Sequence, residues 1–186
     1  MLSGAIVYPI GLAVAALVLA RRREWPRTIL LLIAVAHVTI LVSVALFPIP
    51  LDPDHVTGFR AGVLHSAERS APNFVPFASI GQVLAGHGGR GTTVLLVLNL
   101  FVLFPAGMYL PLLVPALRRS AALLPLALVG GASIELAQLA ISTALGFRYR
   151  FIDIDDAILN GTGLALGWLV VFAALAFETR LQQRRI

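Results

Sequence analysis

The sequence predicts an all-α, polytopic integral membrane protein: a helical bundle with five transmembrane helices. Hydrophobic residues occupy 59% of the 186 positions, and charged residues occupy 12%, about half the share found in soluble domains. The apolar residues come in blocks of about 20, the length that spans the hydrocarbon core of a bilayer. An ordinary soluble domain is therefore excluded, since its polar faces would interrupt such blocks.

Five apolar blocks are predicted to be the spans of a single transmembrane domain that covers residues 1–186. They run over about residues 2–20, 28–47, 93–115, 122–145 and 156–177. Pro105, with Gly107 two residues on, is expected to bend the third span because proline removes a backbone hydrogen bond. Residues 48–92 form the one large loop, on the outer side.

The distribution of arginine predicts the orientation of the spans. With five spans, nine arginines and two glutamates lie on one side of the membrane, and five arginines and six acids lie on the other. The positive-inside rule then places the N-terminus outside and the C-terminus in the cytoplasm. Nucleic-acid binding is not expected, because these arginines lie at span ends rather than on one face of a soluble domain.

The chain contains no cysteine, which excludes disulfides and thiolate metal sites. The glycine-rich segment His87–Gly91 is interpreted as a connector, because it lacks the Lys-Ser/Thr pair of a phosphate-binding loop. Two groups of loop residues are interpreted as solvated rather than as metal sites, namely Asp52 with Asp54 and His55, and His65 with Glu68.

A second apolar stretch in the loop, Phe74–Ala85, is too short to span the bilayer. Within it Phe77, Ile80 and Leu84 recur at helical spacing, which predicts a short helix. A helix that lies on the outer membrane surface is favoured over a re-entrant segment.

Glu135, near the middle of the fourth span, is the strongest indication of a function. An ionised acid at that depth costs on the order of 3 kcal/mol on insertion scales, so it is expected to be protonated, paired or next to a wet cavity. Gln138, Ser142 and Gly131 share its helical face, which is expected to contact protein rather than lipid. The alternative is a structural acid that fixes helix packing.

The fifth span has a polar face of its own. Its members fall at helical spacing, with acids at the outer end and small residues deeper: Asp153, Asp156, Asn160, Gly163 and Gly167. Asp153 or Asp155 is a candidate N-cap, but capping alone does not explain the whole acidic run followed by Asn160.

The polar residues of the last three spans are expected to meet in an outward-facing pocket. Glu135 is placed at its floor, and the short loop helix is a candidate roof. The other members fall in the outer half of the bilayer, namely Asn99, Gln138, Arg150, Asp153, Asp156 and Asn160. His37, in the middle of the second span, is interpreted as a structural histidine whose hydrogen bonds are made within the protein.

Four segments, in order along one membrane topology, resemble the VanZ-like family of membrane proteins, which is associated with teicoplanin resistance. They are Asn73–Phe77 (NFVPF), Asn99–Gly107 (NLFVLFPAG), Ser133–Gln138 (SIELAQ) and Arg150–Gly163 (RFIDIDDAILNGTG). The resemblance covers about residues 45–180. It implies a multi-pass protein of the bacterial plasma (inner) membrane. It also implies a functional face built from Asn73, Asn99, Glu135, Gln138, Arg150, Asp153, Asp156 and Asn160.

The first functional hypothesis is a binding protein without strong catalytic activity, linked to teicoplanin-type resistance or to envelope homeostasis. Its partners would be membrane lipids, a lipid-linked peptidoglycan precursor or a lipoglycopeptide. The candidate ligand-binding residues are Asn73, Asn99, Glu135, Gln138, Arg148, Arg150, Asp153, Asp156 and Asn160.

Two alternatives remain open. A membrane enzyme acting on a lipid-linked phosphate would use Glu135, Asp153 and Asp156 as catalytic residues, and Asp153, Asp155 and Asp156 would bind a divalent cation such as Mg²⁺. An ion-coupled transporter would use Glu135 and His37, although no inverted repeat supports it. The sequence predicts neither the ligand nor the oligomeric state.

Overall fold

The computed structural model describes residues 3–20, 25–51, 56–58, 61 and 72–184. Within these ranges the regular structure is helical, apart from isolated bridge residues, of which Asn73 and Asp153 pair with each other in parallel. The prediction of an all-α protein is confirmed for this part of the chain. The loop residues considered above as metal ligands lie outside the described residues: Asp52, Asp54, His55, His65 and Glu68.

The described helices are numbered here in chain order. They are α1 (Val7–Ala20), α2 (Trp25–Leu46), α3 (Ala78–Leu84), α4 (Arg90–Val102), α5 (Phe104–Leu113), α6 (Leu123–Leu145) and α7 (Ile154–Gln183). Short 3₁₀ turns precede α1 and connect α5 to α6. The helix predicted within the large loop is present as α3, although it is shorter than the predicted stretch.

Four helical stretches of the described chain are long and apolar enough to cross a membrane. They are Trp25–Leu46, Arg90–Leu113, Ser120–Leu145 and Ile154–Gln183, and they correspond to the predicted second to fifth spans. The predicted first span is also an apolar helix, Gly4–Leu19, but it is shorter than the other four. Multi-pass membrane character is therefore supported, and the count of five remains a prediction.

The predicted bend in the third span is confirmed. Helix α4 ends at Val102 and α5 begins at Phe104, with the buried Leu103 between them. Pro105 lies in the first turn of α5, where its missing N–H would have no helical partner in any case. The break therefore divides one membrane-length stretch into two shorter helices.

Helix α7 lies at the centre of the bundle, and α4, α5 and α6 all pack against it. Glycines allow this close approach. A Cβ on Gly163 would overlap the carbonyl oxygen of Leu100 in α4, and one on Gly167 would overlap that of Phe104 in α5. The predicted small-residue face of the last span is therefore its packing face.

The bundle has two chemically different ends. At the end named here after Arg118, the Trp168 indole donates to the carbonyl of Leu117 at 2.6 Å, and Arg118 Nε donates to the last turn of α5 at 2.9 Å. The opposite end, named after Asp155, contains the C-termini of α2 and α6 and the N-terminus of α7. Apart from those of His37, the polar contacts described below lie at or near the Asp155 end.

Candidate functional site

Asp155 attaches the loop helix α3 to the last span. Its side chain is fully buried, and its carboxylate accepts hydrogen bonds from the backbone N–H groups of Phe77 (2.5 Å), Ser79 (2.8 Å) and Ile80 (3.1 Å). Phe77 has a φ of 66°, a left-handed conformation that costs a bulky residue energy. The hydrogen bond to Asp155 helps to hold this conformation and fixes the start of α3.

Asp153 provides a second connection between the loop and the last span. Two backbone hydrogen bonds, of 3.0 and 2.9 Å, join Asn73 to the residues on either side of Asp153. The Asp153 carboxylate accepts from the Asn73 amide and from the Ser79 hydroxyl, both at 2.7 Å, and it also caps the N-terminus of α7. Asn73 and Asp153, both predicted for the pocket, are thus bonded to each other.

Three donors cap the C-terminus of α2. Gln138, Tyr149 and Arg150 donate to consecutive carbonyl oxygens, at 2.9 Å to Ala45, 3.1 Å to Leu46 and 2.6 Å to Phe47. A guanidinium group at this position also stabilises the negative end of the helix dipole. Two residues predicted to bind ligand, Gln138 and Arg150, therefore bind the protein's own backbone.

Tyr149 was not predicted, and no local sequence pattern marks it. It is buried between the ends of α2 and α6, and its backbone N–H donates to Ser142 Oγ at 3.4 Å. Burial raises the pKa of its phenol above the ordinary value of 10.0, although the charge of Arg150 opposes this shift. The phenol therefore remains a hydrogen-bond donor to α2.

The two predicted arginine donors lie against aromatic rings. The guanidinium carbon of Arg148 is 5.3 Å from the ring centroid of Phe151, and that of Arg150 is 5.9 Å from the ring centroid of Tyr149. Both distances are within the range of cation–π attraction. Both contacts join residues within the segment between α6 and α7.

Glu135 faces the N-terminus of α7. Its carboxylate lies near the backbone N–H of Asp153, and the charges of Asp153 and Asp156 are close to it. The Oε2 atom of Glu135 is buried and has no hydrogen-bond partner in the described structure. Glu135 thus presents an unpaired acceptor beside other acids.

Two asparagines belong to the same arrangement, and Asn160 lies deeper in the bundle than Glu135, which the sequence had placed at the floor of the pocket. The side chain of Asn99, in α4, lies near the carboxylate of Asp156. Asn160 lies one helical turn below Asp156 and is 1% exposed, and its Oδ1 atom has no hydrogen-bond partner among the described residues. Glu135, Asp156 and Asn160 are called the acceptor group below.

The model of the VanZ/LLP1 family matches residues 34–176, which is most of the chain. The chain belongs to this family. No curated protein and no solved structure matches it significantly.

The segments that resemble the VanZ-like pattern have distinct roles in this VanZ/LLP1 protein. The NFVPF and DIDD segments bind each other and attach α3 to α7. The SIELAQ segment supplies a cap for α2 through Gln138 and an unpaired acceptor through Glu135. Part of the motif set therefore maintains the fold, and a smaller part is left with unpaired polar atoms.

His37 connects the second span to the break in the third. Its Nε2 is 2.9 Å from the carbonyl oxygen of Val102, and its Nδ1 is 3.1 Å from the Tyr109 hydroxyl. Because a carbonyl only accepts, Nε2 carries the proton and Nδ1 accepts from Tyr109. Both ring nitrogens are satisfied within the protein, which agrees with the structural interpretation and does not favour the transporter.

The carboxylates do not form a metal centre in the described part of the chain. No group of three or more histidine or acidic side chains there is arranged to hold a metal ion. Of the three predicted ligands, Asp153 and Asp155 already direct their oxygens at protein donors. This geometry does not fit a divalent cation, so it does not favour the metal-dependent enzyme.

Proposed function

We propose that this VanZ/LLP1 protein is a five-span protein of the bacterial plasma membrane that binds the polar head group of a cell-envelope lipid or a lipid-linked peptidoglycan precursor. The observation that supports this most is the pair of unpaired acceptors, Glu135 Oε2 and Asn160 Oδ1. A buried polar atom without a partner costs about 1–3 kcal/mol. A bound head group that donates to both atoms offsets this cost.

The proposed orientation places the Asp155 end at the outer leaflet. The described arginines at the Arg118 end then lie on the cytoplasmic side, as the positive-inside rule requires: Arg27, Arg118, Arg119, Arg180 and Arg184. Lipid-linked precursors that have crossed the membrane present their head groups at the outer surface, so the acceptor group is on the side where it meets them.

The loop helix α3 supports an outer-surface site. Its polar contacts point to Asp153 and Asp155, whereas four apolar side chains around it are exposed: Phe74 (66%), Val75 (66%), Phe77 (61%) and Leu84 (82%). An apolar side opposite a polar side suits a helix at the membrane interface. We place α3 there, beside the acceptor group, as part of the roof of the site.

The link to glycopeptides follows from this position. A protein that binds a lipid-linked precursor or a lipoglycopeptide at the outer leaflet changes how the drug meets its membrane-anchored target. The expected phenotype is reduced susceptibility to teicoplanin-type drugs in a susceptible bacterium that expresses the chain.

The test is the teicoplanin susceptibility of strains that express matched variants. Glu135→Gln and Asp156→Asn should abolish the protection, because each replaces a carboxylate of the acceptor group by an amide of nearly the same shape. Ser133→Ala is the control, since Ser133 is exposed and bonds only to its own helix at Gly130. Full protection in both acceptor variants, at equal membrane expression, contradicts the proposal.

A further inference from the structure

We infer that the acceptor group selects a head group that carries a primary ammonium, and not a phosphate alone. This inference rests on the proposed function and specifies its ligand class. It follows from which polar atoms near the Asp155 end are already bonded within the protein and which are left without a partner.

Four donor side chains at the Asp155 end already donate hydrogen bonds to acceptors within the protein. Arg150 and Gln138 donate to the end of α2, at 2.6 and 2.9 Å. The Asn73 amide and the Ser79 hydroxyl donate to Asp153, both at 2.7 Å. A phosphate oxygen needs donors of this kind, and these four side chains already have acceptors in the protein.

Two buried side-chain oxygens of the acceptor group are left without a partner. Glu135 Oε2 and Asn160 Oδ1 have none among the described residues, and Asn160 is 1% exposed. Asp156 lies one turn from Asn160 along α7 and is electrostatically close to Glu135. A phosphate brought to this place would set negative charge beside carboxylates, whereas a cationic donor would be attracted to them.

The number of acceptors matches an ammonium group. A primary ammonium has three N–H donors and a positive charge, and the acceptor group has three oxygen-bearing side chains. Hydrogen bonds from an ionised donor are stronger and shorter than neutral ones. A quaternary ammonium has the same charge but no N–H, so hydrogen bonding predicts discrimination between the two.

The experiment uses the full chain in phosphatidylcholine nanodiscs, whose own head group has no N–H donor. Native mass spectrometry measures the binding of three single-chain probes: hexadecylammonium, hexadecyltrimethylammonium and hexadecyl phosphate. We expect saturable binding of the primary ammonium alone. Glu135→Gln and Asn160→Leu should each weaken it by about tenfold or more, as for the loss of one charge-assisted hydrogen bond.

Ser133→Ala is the matched control on α6 and should bind as the unmodified chain does. An unchanged melting temperature shows that a variant has kept its fold. If Asn160→Leu does not fold, Glu135→Gln decides the test alone, because its amide preserves the shape of the side chain.

The outcomes separate this inference from the proposed function. Saturable binding of hexadecyl phosphate that depends on Glu135 overturns the ammonium class but supports a head-group site. Equal binding of the primary and quaternary probes overturns the hydrogen-bonding basis. If no probe shows binding that depends on Glu135, the inference is wrong, and the drug-susceptibility experiment then decides whether the proposed function fails with it.

Discussion

Replacing Asp155 with alanine should release α3 from the last span and leave the packed spans in place. The substitution removes the acceptor of three backbone N–H groups at 2.5, 2.8 and 3.1 Å. A hydrogen bond to a charged group contributes about 1.5–3 kcal/mol. The freed amides can bind water once α3 separates, so the loss is smaller than three full hydrogen bonds. We count two hydrogen bonds at about 1.5 kcal/mol each, which lowers the free energy of local opening by about 3 kcal/mol.

Hydrogen exchange of the chain in nanodiscs measures this opening. A change of about 3 kcal/mol corresponds to roughly 100-fold faster exchange of the amides in α3. Asp155→Asn retains one acceptor oxygen and should lie between the alanine variant and the unmodified chain. Glu178→Ala, an exposed acid near the other end of the same helix, is the control. Unchanged exchange in α3 of the Asp155→Ala variant, or equal acceleration throughout α6 and α7, refutes the reasoning.

The remaining predictions concern helix packing, the hydrogen bonds of His37 and the orientation in the membrane. Gly163→Ala should lower the free energy of unfolding by about 1–3 kcal/mol, since its Cβ overlaps a carbonyl of α4. Gly91→Ala is the control, because a Cβ there meets open space. Equal melting temperatures of the two variants contradict the packing. His37→Leu should lower the free energy of unfolding by about 2 kcal/mol, because it leaves a carbonyl and a tyrosine hydroxyl unpaired. An unchanged melting temperature contradicts the structural role of His37. In this cysteine-free chain, a membrane-impermeant maleimide should label Gly89→Cys and not Ser120→Cys in intact cells; the reverse pattern contradicts the orientation.

The sequence allowed the spans to be predicted because each is a local feature. The length of each apolar block can be counted directly in the sequence. The spacing of the glycines in the last span identifies its packing face, even when the helix that packs there is unknown. The break before Pro105 is local as well, since it follows from the chemistry of one residue. These features required no long-range information.

Which polar residues cap helices and which are left unpaired could not be predicted in this way. The three amides that Asp155 binds lie between 75 and 78 positions away in the chain. Arg150 donates to the carbonyl of Phe47, 103 positions earlier and directly after the end of α2. Helical spacing identifies which residues share a face but not which carbonyl or amide meets them, so residues that cap helices and residues left unpaired looked alike.

Glu135 is the residue for which the sequence and the structure agree best. Its depth in the fourth span predicted an acid that needs a partner, and the structure places it beside Asp153 and Asp156 with one oxygen unpaired. The unpaired oxygens of Glu135 and Asn160 lead us to propose a ligand that donates hydrogen bonds.

The most direct test of the central claim is an experimental structure of the chain purified with native envelope lipids. We expect density for a polar head group in contact with Glu135 Oε2 and Asn160 Oδ1, and loss of that density in the Glu135→Gln variant. If both oxygens are hydrogen-bonded to protein groups and no head group lies between α6 and α7, the proposed head-group site is wrong.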